Sequence, residues 1–161
     1  MSMPGRKDIA AVLIAMLISA PVSAGFNDGM IAHERGDYAT ALREFRALAE
    51  QGAAMAQYNL GLMYGKGQGL PQDYGEAARW VRKAAEQGIA KAQNYLGLMY
   101  GTGNGFTQNL VQAHKWFSLA ATQGDKDAPK FRDIVANDMT PAQIAETHRL
   151  VRAWHPKHGK K

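Results

Sequence analysis

Cysteine is absent from the 161-residue chain. That excludes a disulfide framework, a thiolate zinc or iron–sulfur centre, a cysteine nucleophile and a lipid anchor on cysteine. The apolar run Ile9–Ala20 falls short of the ~20 residues that span a bilayer. No H-E-x-x-H pair sets two zinc ligands one helical turn apart, and no serine stands in a G-x-S-x-G elbow. The body also lacks an excess of charge: Gly25 to His148 holds 12 basic and 13 acidic residues. The formal +5 therefore resides at the ends, with Arg149, Arg152, Lys157, Lys160 and Lys161 crowded at the C-terminus. A nucleic-acid surface needs its cations spread along a face, so nucleic acid is not an expected partner. What remains, 46% hydrophobic and 20% charged, is the composition of one ordinary globular domain.

Met1–Ala24 reads as a secretory signal peptide. Arg6 and Lys7 form a basic opening, Ile9–Ala20 an apolar core, and Pro21 precedes the small residues Ser23 and Ala24 that signal peptidase requires. Cleavage after Ala24 and export are expected. The alternatives are an uncleaved N-terminal anchor and a buried first helix.

The strongest signal in the chain is self-similarity. Ala56-Gln57-Tyr58-Asn59-Leu60-Gly61-Leu62-Met63-Tyr64-Gly65 recurs 36 residues later as Ala92-Gln93-Asn94-Tyr95-Leu96-Gly97-Leu98-Met99-Tyr100-Gly101. Ala77, Trp80, Ala84, Ala85, Gln87 and Gly88 return as Ala113, Trp116, Ala120, Ala121, Gln123 and Gly124. A partial copy lies upstream, in Asp37-Tyr38, Ala41 and Glu50-Gln51-Gly52. Each unit reads as helix–turn–helix. Ala56, Leu60 and Tyr64 share one helical face, Gly61 beside them admits a close neighbour, and Gly65, Gly67 and Gly69 form the turn. Ala77, Val81 and Ala84 then face inward from a second helix. A single unit cannot bury that face, so at least three must stack.

The string A-x-x-x-L-G-x-x-Y-x-x-G-x-G, followed by A-x-x-W and A-A-x-Q-G, resembles the Sel-one-like repeats, relatives of the tetratricopeptide repeats. The match runs from about Gly36 to Gly124. It implies an all-α fold, a right-handed α-solenoid that mediates protein contacts, often in bacterial envelopes, and hence a periplasmic location. The domains expected are a signal peptide at 1–24, repeats at about 25–52, 53–88 and 89–124, a cap at 125–154, and a disordered basic tail at 155–161. The first helix of the N-terminal copy, around Gly29–Arg35, lacks the leucine–glycine–tyrosine set and suits a terminal unit. In the cap, Ala128 keeps register while Arg132 and Asp133 replace leucine and glycine. Thr140-Pro141-Ala142-Gln143 opens a last helix to about Trp154, with Ile144, Thr147, Val151 and Trp154 near one face.

Chemical motifs are sparse. Gly65-Lys66-Gly67-Gln68-Gly69 lacks the spacing of a phosphate loop and reads as an interhelical turn. Glu34, Glu44, Glu76 and Glu146 are single helical carboxylates, suited to pairing with Arg or Lys at i±3 or i±4. His114 stands where other copies have Ala78 and Leu42 and is expected on partly exposed helix surface. Trp80 and Trp116 recur with the repeat and are assigned to packing. No catalytic residue, metal or cofactor is expected, and the alternative of an envelope hydrolase or cell-wall enzyme accessory finds no constellation to support it. With Leu60, Gly61 and Tyr64 inward, another stripe is left: Tyr58, Leu62 and Lys66, then Asn94, Leu98 and Thr102. By resemblance to tetratricopeptide stacks it lines a concave groove that binds a protein or peptide, the chain itself being a monomer.

Overall fold

The computed structural model describes residues 22–157, with side chains from Ala24. Among them are eight helices and no strand: α1 (Val22–Glu34), α2 (Tyr38–Glu50), α3 (Ala54–Lys66), α4 (Tyr74–Glu86), α5 (Ala90–Thr102), α6 (Leu110–Thr122), α7 (Ala128–Ala136) and α8 (Pro141–Arg152). Each of α1 to α7 packs on the helix that follows or precedes it, as in a solenoid. The odd-numbered helices are the first of each repeat and α2, α4 and α6 the second.

Local chemistry sets the helix ends. Asp37, Asp73 and Asn109, spaced by the repeat, accept from the backbone N–H of Thr40, Glu76 and Gln112 at 3.1, 2.9 and 3.0 Å. Each supplies an acceptor to a first-turn donor that has none within the helix. Helices α3 and α5 close on Gly67 (φ +67°) and Gly103 (φ +81°), left-handed positions that a Cβ would strain. Gly65, expected in the turn, is instead still helical and buried.

The glycine inside each first helix is a packing device. A Cβ at Gly61 would lie 2.6 Å from Val81 Cγ2, and one at Gly97 would lie 2.8 Å from the Phe117 ring. No side chain fits there, so the helix pair approaches to the backbone. The first repeat keeps the glycine of the leucine–glycine–tyrosine set that it was expected to lack, while Asp28 and Ala32 stand at the leucine and tyrosine positions. Residues 35–37 join α1 to α2 whereas 67–73 join α3 to α4, so α1 sits four residues out of the 36-residue register. With that shift Gly29 falls in place, its virtual Cβ 2.8 Å from Phe45, the counterpart of Val81 and Phe117.

Two adjoining apolar clusters form the core. One gathers Ala41, Phe45, Leu48, Leu60, Met63 and Trp80; the other gathers Val81, Leu96, Met99, Trp116 and Leu119. Both tryptophans are buried, as their recurrence indicated. Arg79 and Lys83 lie 4.5 Å over the Trp80 ring, and Lys115 lies 4.3 Å over Trp116, so cations cover the ring faces.

The C-terminal cap departs from the repeat. Thr140 and Gln143 form the expected capping box, with Pro141 in the first turn of α8. That helix packs on α6, where the Thr147 hydroxyl donates to the Val111 carbonyl at 3.4 Å. Trp154 meets Trp116 edge-on with ring centroids 6.5 Å apart. Residues 155–157 do not hang free, as the tail was expected to do. The Lys157 N–H donates to the Glu86 carbonyl at 2.7 Å, and its ammonium pairs with the Glu86 carboxylate at 2.9 Å. The C-terminal carbonyls of α4 lack partners within their own helix, and the tail supplies one.

The expected signal peptide lies outside the described residues except for its last three, which open α1. Cleavage after Ala24 would leave Gly25–Glu34, the part that carries Gly29. No helix among the described residues is long and apolar enough to cross a membrane.

Candidate functional site

Helices α3, α5 and α7 enclose a pocket of about 330 Å³, lined by Tyr58, Lys91, Asn94, Tyr95, Leu98, Asp125, Asp127 and Phe131. Of the six stripe residues, Tyr58, Asn94 and Leu98 come together here. Leu62 is half-buried and Lys66 exposed, both outside the pocket lining. Thr102 is turned back on its own helix, its hydroxyl donating to the Leu98 carbonyl at 2.9 Å.

The three that converge differ in character. Leu98 is 39% exposed, an apolar side chain open to a partner. Tyr58 is half-buried and packs against the second core cluster. Burial, with Tyr95 and the Asp125 carboxylate nearby, pushes its hydroxyl above the usual tyrosine range, so it stays a neutral donor. Asn94 is a strut. Its side-chain amide donates to Asp125 Oδ1 at 3.0 Å, and that oxygen also accepts from the N–H of Asp127 and Ala128. This arrangement fixes the turn into α7 and leaves Asn94 Oδ1 buried without a hydrogen-bond partner.

The stripe missed Tyr95, Phe131, Lys91, Asp125 and Asp127. Tyr95 and Phe131 occupy one repeat position, but nothing in the first helix alone shows that a residue beside the stripe reaches the next helix. The signal lay in Gly65, where a Cβ would stand 2.8 Å from the Tyr95 hydroxyl. Glycine there makes room for the neighbour's ring.

Elsewhere the carboxylates pair as the spacing suggested. Arg79 holds Glu76 at 2.6 Å and Arg149 holds Glu146 at 2.6 Å, each keeping its carboxylate below the usual range. Glu44 pairs with adjacent Arg43 instead. No cluster of three metal-ligating side chains occurs among the described residues. His114 corrects the sequence reading: it is 5% exposed, because α7 and α8 close over its face of α6.

Repeated helical hairpins, stacked in order and leaving an apolar-edged hollow between their first helices, define a helical-repeat protein. The chain belongs to the Sel1 repeat family. The family model, described as Sel1 repeat, matches residues 54–89 and 90–125. A Sel1 repeat protein from Oxalobacter formigenes is 35% identical, with a TM-score of 0.63 over 70% of this chain and 87% of that one. The protein c5321, described as a protective antigen of uropathogenic Escherichia coli strains with an SLR fold, is 30% identical, with a TM-score of 0.81 over 93% of this chain. This chain spans 33% of c5321's length. No curated protein matches the sequence. Proteins of this repeat family generally act as protein-interaction scaffolds.

Proposed function

We propose that the protein is an exported scaffold of the bacterial envelope that holds a protein or peptide segment along its first helices. A row of apolar residues carries this reading. Met30, Leu62, Leu98 and Ile134 occupy one position in four successive first helices, and exposure rises to 39% at Leu98 and 52% at Ile134. Met30 and Leu62 are half-buried, Met30 against the first core cluster, so the open part of the row is Leu98 in the pocket lining and Ile134 beyond it, apolar surface of the kind a partner covers. Tyr58 adds an aromatic wall, and the carboxylates of Asp125 and Asp127 with the Lys91 ammonium supply polar selectivity at the rim. The basic opening and apolar core of residues 1–24 support export, and the periplasm is the compartment this reading assigns.

Affinity capture from the envelope fraction, run in parallel with the wild type and Leu98→Asp, tests the reading. A partner held by the wild type and lost by the variant supports it; equal retention of every captured protein by both overturns it. Intact mass from the same fraction, with Gly25 at the N-terminus, tests export.

A further inference from the structure

A pair of positions 18 residues apart builds each repeat-to-repeat contact. In the first it is Leu42 and Leu60, in the second Ala78 and Leu96, and each pair belongs to one core cluster. At the third the same two positions hold His114 and Arg132. An apolar pair has become two groups that are cationic when protonated, and both line one space. Between them opens a hollow of about 550 Å³, lined by His114, Ser118 and Thr122 of α6, Arg132 of α7 and His148 of α8 among others. Arg132 pairs with Asp133 at 2.8 Å, but Asp133 does not line the hollow. Three nitrogen donors from three helices and the Ser118 hydroxyl thus surround one space whose lining holds no carboxylate.

We propose that this hollow is a binding site for an oxyanion of the phosphate class. A tetrahedral oxyanion presents acceptors in several directions at once, which suits donors arriving from three helices. The hollow exceeds a bare phosphate, leaving space for the group the phosphate is attached to. The groups facing His114 are Ser118 on its own helix, Arg132 and Asp133 from α7, and His148 from α8. Burial first, then Arg132 and His148, hold its imidazole below the usual range, with Asp133 opposing. A bound anion reverses that balance, so affinity rises as pH falls through the imidazole range.

The test is a titration of the full mature chain with inorganic phosphate against sodium chloride at equal ionic strength, read on the histidine ring resonances at about pH 6 and about pH 8. Phosphate, and not chloride, is expected to shift His114 and His148 together and to raise the His114 midpoint. His114→Leu restores the residue of the first repeat, so the fold should survive, and apparent affinity should drop about tenfold. Arg132→Gln, on a different helix, should do the same. A second arm uses phosphatidylglycerol vesicles. Binding there without response to free phosphate assigns the site to a lipid headgroup, and response to free phosphate assigns it to the soluble ion. Resonances unmoved by phosphate and no vesicle binding, or responses that persist in both variants, overturn the proposal.

Discussion

The Gln87 side-chain amide donates to Gln57 Oε1 at 2.8 Å and also reaches the Gly52 carbonyl at 3.1 Å. Gln57 passes the link on, its own amide donating to the Ala49 carbonyl at 3.1 Å. One repeat later Gln123 donates to Gln93, which donates to Ala85. Gln57 and Gln93 are buried, and each ties the end of one second helix to the next. Removing Gln57 deletes both of its bonds, leaving the Ala49 carbonyl to the Gly52 N–H and the Gln87 amide to the Gly52 carbonyl. Gln57→Leu should therefore destabilise by about 1–3 kcal/mol despite its apolar gain, and Gln51→Leu, on exposed surface, by much less. Chemical denaturation of both variants measures the difference.

The glycine contact makes a paired forecast. Gly61→Leu should cost about 1–3 kcal/mol through overpacking, although leucine has the better helix propensity by under about 1 kcal/mol. Gly29→Leu should behave alike, since α1 repeats the same approach to Phe45. If Gly29→Leu proves neutral in a thermal melt while Gly61→Leu does not, the four-residue shift assigned to α1 is wrong.

Leu98 and Tyr58 separate binding from folding. Leu98 is open to solvent and Tyr58 packs against the core. Leu98→Asp should change stability by no more than about 0.5 kcal/mol, while Tyr58→Ala costs about 1–2 kcal/mol from its half-buried ring. Partner capture should suffer in both. Melts alongside capture assign each loss to its cause.

Acid should loosen the C-terminal cap. Burial lowers the His114 midpoint in the folded state, so the unfolded chain binds the proton more readily. The contribution is complete above the ordinary histidine range near about pH 6.5 and is lost as pH falls through that range toward the folded midpoint. In a phosphate-free buffer, stability should decline between about pH 7 and pH 5, and His114→Leu should flatten the decline. An unchanged slope in the variant would assign the acid response to other groups.

The fold was legible because it was written repeatedly. Leu60 and Leu96, Trp80 and Trp116, and Gly61 and Gly97 each mark the same place in a copied hairpin, so one interpretation explains all of them. The site was less legible because its residues come from different copies. Tyr95 and Phe131 sit beside the stripe, and only the crossing of α5 and α7 brings them into the same pocket as Tyr58. His114 was misjudged for a related reason: α6 alone does not reveal that α8 doubles back over it. The shortened turn at 35–37 hid Gly29, since a fixed offset cannot follow a deletion.

Lys157 rests on Glu86 at the end of α4, with two helices between it and the cap. A stacked array ordinarily frays from its ends, each unit answering only to the one beside it. Here the terminal strap passes the third hairpin and fastens to the second, so it links the end of the stack to a unit it does not adjoin, and opening the cap also breaks the Lys157–Glu86 contacts.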